Sequence, residues 1–152
     1  YDMTALILEI IEIITLKAEA KNLTLTFNRS DPLWVKMDIE RIEQVLVNVV
    51  ENAIKFSPEN SSIQINSQVD DQWCHVTITD SGIGIGEEDL ENIFKKFHTL
   101  PSGSKNTHTK GTGLGLTICR KIIKAHGGKI WAESEVGKGS TFAFTIPQKQ
   151  GL

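Results

Sequence analysis

The sequence predicts an α/β fold in two layers, a mixed and mostly antiparallel sheet packed against helices. Three observations carry this. Apolar residues recur at helical spacing over 3–20, 38–56 and 114–126. Strand-like alternation comes mainly in pairs joined by short turns, the arrangement that builds antiparallel sheet. The strand pairs are set among the helices, so one face of the sheet has helices to cover it.

Between Met3 and Ala20, Leu6, Ile10, Ile13, Ile14 and Leu16 to Ala20 keep a helical period, with Thr4 as the expected cap. Leu23 to Phe27, LTLTF, alternates apolar residues with threonine and suits a half-buried strand. After the break at Ser30, Asp31 and Pro32, Trp34 to Met37 is expected as a short second strand. Asp38 is then placed to cap the next helix, its side-chain oxygen taking an N–H that the first turn leaves unpaired. Ile42, Val45, Leu46, Val49 and Ala53 form the apolar stripe of this helix, and Val47 and Ile54 lie off it, which predicts cover on a second side. Pro58 stops it.

Ser62 to Val69 and Trp73 to Thr79 alternate on either side of Asp70, Asp71 and Gln72 and read as a hairpin. Glu87 to Phe97 is expected as a short helix whose first-turn acids suit the positive end of the helix dipole. From Thr99 to Gly111 the periodicity fails in a polar, Gly/Ser-rich stretch, read as a lid over about 98–111. Helical spacing returns from Leu114 to His126, and Gly127 with Gly128 closes that helix. Lys129 to Ser134 and Ser140 to Ile146 are the last strands, joined by a turn containing Gly137 and Gly139. No internal repeat or linker is visible, so residues 1–152 are expected to form a single domain.

Composition narrows the function classes. With 152 residues, 39% hydrophobic and 23% charged, the chain has the make-up of an ordinary globular protein. A net charge of −3 gives no reason to expect nucleic acid. Cys74 and Cys119 match no CxxC spacing, which argues against a disulfide framework or zinc site and fits a reduced, cytoplasmic setting. The apolar run from Ala5 to Ile14 is interrupted by Glu9 and Glu12 and is too short to span a bilayer. The chain opens at Tyr1, which raises the expectation of a piece from a longer protein.

Three motifs bear chemistry. In NVVENAIKF, Asn48, Asn52 and Lys55 fall within about a 60° arc beside the apolar stripe, where a pocket wall would sit. The alternative is a solvated helix edge. In DSGIG, Asp80 ends an apolar strand, and Gly82 with Gly84 permits a tight open turn; a partly buried carboxylate there needs a donor such as an exocyclic amine. A plain Asp turn is the alternative. GTGLGL, from Gly111 to Leu116, lies where loop becomes helix, so N–H groups and dipole favour a phosphate, although a flexible loop end would look similar. Asn48 and Asn52 offer neutral oxygens suited to Mg²⁺ when phosphates complete its shell, and Lys55 would offset phosphate charge.

Together with Ile93 to Phe97 (IFKKF) and the closing GGKIWAES and GKGSTFAFTIP, these motifs resemble the N box, two glycine boxes, phenylalanine box and terminal strands of the ATP-binding domain of sensor histidine kinases. The resemblance runs from about Leu6 to Pro147. It implies the Bergerat fold shared with gyrase-like ATPases, with ATP and Mg²⁺ as ligands. By it, Asp80, in the glycine box with Gly82 and Gly84, accepts a hydrogen bond from the adenine amine, and Asn52 coordinates the metal. Asn48 and Lys55 act beside metal and phosphates as the catalytic pair. Gly111, Gly113, Leu114 and Gly115 supply the lid hinge and phosphate contact, Phe94 and Phe97 flank the lid or simply pack in the core, and Thr141 makes a polar contact near adenine.

The resemblance further implies transfer of the γ-phosphate to a histidine on a separate dimerisation domain, for relay to the receiver domain of a response regulator, in a parent that is cytoplasmic or held at a membrane. His75, His98, His108 and His126 have no acceptor-like helical setting, so the acceptor is expected upstream of Tyr1. Thr99 stands where many members carry Arg, with Lys105 and Lys110 as substitutes, and Gly86 where Pro is common. Gyrase-like relatives place a glutamate base at the position of Asn48, and an amide cannot take that proton. Glu51, rotated away from Asn48, is expected to be solvated. A water-activating ATPase is therefore disfavoured, and a scaffold that binds ATP without transfer is the alternative.

Overall fold

A computed structural model describes residues 1–28, 32–90, 92–94 and 115–148. Its first helix, α1 (Met3–Glu19), begins at Asp2, whose carboxylate accepts the Thr4 N–H at 3.0 Å. Asp2, not Thr4, is thus the cap: Thr4 already lies inside the first turn and is buried. Asp2 also accepts the Leu33 N–H at 2.9 Å and bridges Trp34. The strand expected at Trp34 to Met37 is for this reason only an isolated bridge. The Val35 N–H goes to Tyr1 and the Leu33 carbonyl to Met3, so the segment straps the start of α1 and never reaches the sheet.

The sheet has five strands, β1 (Thr24–Asn28), β2 (Ser62–Val69), β3 (Trp73–Asp80), β4 (Lys129–Glu135) and β5 (Gly139–Pro147), in the order β1-β2-β3-β5-β4. The β1–β2 pair is parallel; the other three pairs are antiparallel. Between β1 and β2 runs α2 (Ile39–Phe56), capped by Asp38, whose carboxylate accepts the Arg41 N–H at 3.3 Å. It ends at Phe56, and Ser57 turns extended, as the residue before Pro58 prefers. α3 (Glu87–Leu90) follows the Asp80 loop, and α4 (Gly115–Ala125) packs against α2. Residue 91, 95–97 and the lid stretch 98–111 lie outside the described residues.

Period-2 alternation places Cys74, Val76 and Ile78 of β3 on one face beside Phe142, Phe144 and Ile146 of β5. Val45, Leu46, Val49 and Val50 of α2 belong to the same core, each buried side chain worth roughly 1.5–3 kcal/mol. Ile54 is buried and Val47 half-buried, so α2 is covered on a second side as expected. The other sheet face carries Gln64, Gln68 and Trp131, all exposed, and the fold is the two-layer sandwich anticipated above. Gly127, at φ +81°, closes α4, with the Gly128 N–H bonded to Ile123. Both cysteines are free, and burial pushes each thiol up to about 11.

Candidate functional site

Asp80 shares the core face of β3 with Ile78 and Val76, and only 7% of it is exposed. Its Oδ1 accepts the Gly82 N–H at 2.8 Å and the Ser140 N–H at 3.3 Å. Its second oxygen has no hydrogen bond among the described residues. Burial raises the carboxyl pKa, and the bonds from Gly82 and then Ser140 oppose that rise. Gly82 is required for this arrangement, because a Cβ there would stand 2.4 Å from the Phe56 carbonyl and 2.9 Å from Oδ1. Gly84, at φ +79°, lies against the Glu135 carbonyl, where a Cβ would come to 2.2 Å. The loop after β3 is therefore wedged between the end of α2 and the β4–β5 turn.

Asp80 lines a small, partly open pocket. α2 contributes Asn52 and Phe56, the loop adds Ile83, Gly84 and Ile85, α4 adds Leu116, and β5 adds Ser140 and Phe142. Apolar walls around one carboxylate, one carboxamide and one hydroxyl suit a flat heteroaromatic group that carries a donor. The Phe142 ring meets Phe94 edge-on, with centroids 6.3 Å apart. The Thr117 hydroxyl donates to the Phe94 carbonyl at 3.0 Å, tying the first turn of α4 to that aromatic pair.

Of the residues singled out in the sequence, Asn52, Asp80 and Gly84 meet in this pocket. Asn48 is one turn back along α2. Its amide nitrogen donates to Cys119 Sγ at 3.7 Å, and its carbonyl oxygen has no partner among the described residues. Gly115 opens α4 beside it, since a Cβ there would lie 3.9 Å from the Asn48 carboxamide. The Lys55 ammonium lies 5.9 Å from the Phe56 ring centroid and has no ion pair among the described residues. Gly111, Gly113 and Leu114 lie outside the described residues, as do Phe97, His98, Thr99, Lys105, His108 and Lys110.

Thr141 does not reach the pocket. Alternation along β5 turns it to the opposite sheet face, where its hydroxyl meets that of Thr79 at 3.1 Å, and Ser140 occupies the pocket face in its place. The buried Phe142 and Phe144 were the signal for this, because Ser140 shares their phase. Phe56, one turn beyond Asn52, and Leu116, within GTGLGL, were also readable as lining. Glu51 is not simply solvated: it pairs with Lys17 of α1. His75 pairs with Asp70 at 2.8 Å, and His126 uses both ring nitrogens, one accepting from the Asp38 N–H at 3.0 Å and the other 2.8 Å from the Ile122 carbonyl.

Among the described residues no group of three or more His, Cys, Asp or Glu could hold a metal ion, and no helix is long and apolar enough to cross a membrane. A divalent ion would accordingly depend on amide oxygens together with oxygens brought by its ligand, a donor set that suits Mg²⁺ carried by phosphates.

Residues 37–150 match the family model described as histidine kinase-, DNA gyrase B- and HSP90-like ATPase. The adaptive-response sensory kinase SasA of Prochlorococcus marinus is 46% identical over 123 residues, which is 80% of this chain and 32% of SasA, so the chain spans about a third of that relative. The catalytic domain of histidine kinase ThkA is 40% identical and superposes with a TM-score of 0.84 over 99% of this chain and 97% of that one. ThkA solved in complex with the response regulator TrrA gives a TM-score of 0.81 at 37% identity, covering 98% of this chain and 41% of that one.

Proposed function

The chain belongs to the histidine kinase-, DNA gyrase B- and HSP90-like ATPase family, and on that premise we propose that residues 1–152 are the single ATP-binding domain of a sensor histidine kinase. Its task is to give the γ-phosphate of ATP to a histidine on a separate dimerisation domain, for relay to a response regulator in the cytoplasm. The observation that carries this reading is the buried Asp80 carboxylate, one oxygen held by backbone N–H groups and the other without a hydrogen bond among the described residues, at the edge of an apolar pocket.

The free oxygen of Asp80 takes the adenine amine, while Ile83, Ile85, Leu116 and Phe142 enclose the base. The phosphates would then run along α2 toward Gly115 and the positive end of the α4 dipole, with Gly111, Gly113 and Leu114 of the same motif proposed as further contacts. Asn52 would hold Mg²⁺ with help from the Asn48 oxygen, and the Lys55 ammonium would offset phosphate charge. Bound Mg²⁺ would offset charge on the phosphate oxygens as the bond to the γ-phosphorus breaks. The acceptor histidine's ring nitrogen forms the new bond to phosphorus, and ADP leaves.

Transfer is favoured over hydrolysis because nothing at Asn48 takes a proton from water. Its carboxamide is not a base, and the nearby acid, Glu51, is engaged by Lys17. The response regulator as final partner is supported by the solved complex of ThkA with TrrA. The test is transfer of label from γ-labelled ATP to a supplied histidine-bearing helical hairpin, compared with Asp80→Asn. Label on the hairpin from the unmodified chain supports the kinase reading; ATP binding without label supports a nucleotide-sensing scaffold.

A further inference from the structure

Asp80, Ser140 and Ser134 stand in one row across β3, β5 and β4, directly paired in register and all on the pocket face. Ser134, which the pocket does not touch, is the hub of this row. Its Oγ lies 2.6 Å from the Ile85 nitrogen, 2.9 Å from the Gly139 carbonyl and 2.8 Å from the Ser140 hydroxyl. A hydroxyl has one proton to give. The Ile85 N–H can only donate and the Gly139 carbonyl can only accept, so all three contacts are hydrogen bonds at once only when the Ser134 proton goes to Gly139. The proton between the two serines must then come from Ser140.

From this direction of bonding we propose that Ser134 is a positioning residue that fixes the Ser140 hydroxyl as a hydrogen-bond acceptor toward the pocket. With its proton committed to Ser134, Ser140 cannot donate to the free oxygen of Asp80 and quench it. The polar end of the pocket then presents two acceptors, a carboxylate oxygen and a hydroxyl oxygen, and selects a ligand edge that donates. This rests on the reading of the pocket as the adenine site and deepens it: the 6-amino group is demanded by Ser134 acting through Ser140, besides Asp80 itself. Ser134 has a second effect, since its bond from Ile85 holds a pocket wall in place.

The test compares calorimetric affinities for Mg-ATP and for the triphosphate of purine riboside, which lacks the 6-amino group, in the unmodified chain, Ser134→Ala, Ser140→Ala and the double variant. A structural role alone would weaken both ligands equally, so the ratio of the two affinities is the readout. The unmodified chain is expected to prefer ATP about tenfold or more, Ser134→Ala to lose at least about threefold of that preference, and the double variant to lose no more than Ser140→Ala. An unchanged ratio in Ser134→Ala, or additive losses in the double variant, overturns the proposal. If Ser134→Ala does not fold, an unchanged ratio in Ser140→Ala overturns it and a lowered ratio supports it. Failure of the unmodified chain to bind ATP would instead overturn the underlying assignment of the pocket.

Discussion

The Lys21 ammonium donates to the Ser57 carbonyl at 2.7 Å, and the same group reaches the carbonyls of Ile54 and Lys55 at 2.9 and 3.2 Å. These are carbonyls that the end of α2 cannot satisfy internally, so a cation from just beyond α1 caps the helix that carries Asn48, Asn52 and Phe56. Lys21→Met keeps most of the apolar stem and removes the donors. It is expected to lower stability by about 1–3 kcal/mol, read as a reduced midpoint in urea unfolding.

Burial of the Asp80 carboxylate costs the free protein stability. Its pKa in the folded chain is raised by burial, so the native state keeps the proton to higher pH than the unfolded state does. Stability contributed by this group is therefore lost as pH climbs from the ordinary carboxylate value through the raised one. Asp80→Asn retains an acceptor for Gly82 and Ser140 without the charge. It is expected to melt at a higher temperature than the unmodified chain at pH 7, with the gain fading below about pH 4, and to bind ATP some 10- to 100-fold more weakly. Melting curves across that pH range check the first part and calorimetry the second.

Gly82 and Gly86 are close in sequence and opposite in consequence. A Cβ at Gly82 would press on the backbone carbonyl of Phe56, which cannot swing aside, whereas nothing lies within 4 Å of one at Gly86. Gly82→Ala is expected to cost about 2 kcal/mol or more and to weaken ATP binding by shifting Asp80. Gly86→Ala should be neutral or stabilising by up to about 1 kcal/mol, through the lower entropy of its unfolded chain. Thermal unfolding of the two variants side by side decides this.

Thr141 and Thr79 bond on the sheet face remote from the pocket. Thr141→Val is thus expected to leave ATP affinity within about twofold of the unmodified chain, at a stability cost of about 1 kcal/mol for the lost hydroxyl pair. A large loss of affinity in this variant, measured by calorimetry, would return Thr141 to the site.

Most of the fold was legible because its elements announce themselves locally. Asp38 caps α2, Pro58 stops it, and Cys74, Val76 and Ile78 alternate cleanly; each signal lies within a few residues of its effect. What was missed depended on partners distant in sequence. Trp34 to Met37 has strand chemistry, but Val35 exchanges its backbone bonds with Tyr1 and not with a sheet strand. Glu51 looks like a solvated acid until α1 brings Lys17 to it. Ser134 reads as an ordinary strand residue, and its role exists only because Ile85, Gly139 and Ser140 converge on it. Thr141 is a different case: the motif resemblance points to it, but the phase of Phe142 and Phe144 turns Ser140 to the pocket face in its place.

The proposed kinase domain loads ATP in the Asp80 pocket and does not spend it on water. The most direct test is calorimetric titration of the unmodified chain with Mg-ATP, with phosphate release followed in the same samples and Asp80→Asn alongside. Saturable binding that the substitution abolishes or greatly weakens is expected, with negligible phosphate release from either protein. Steady phosphate release by the unmodified chain alone, or no binding at all, would contradict it.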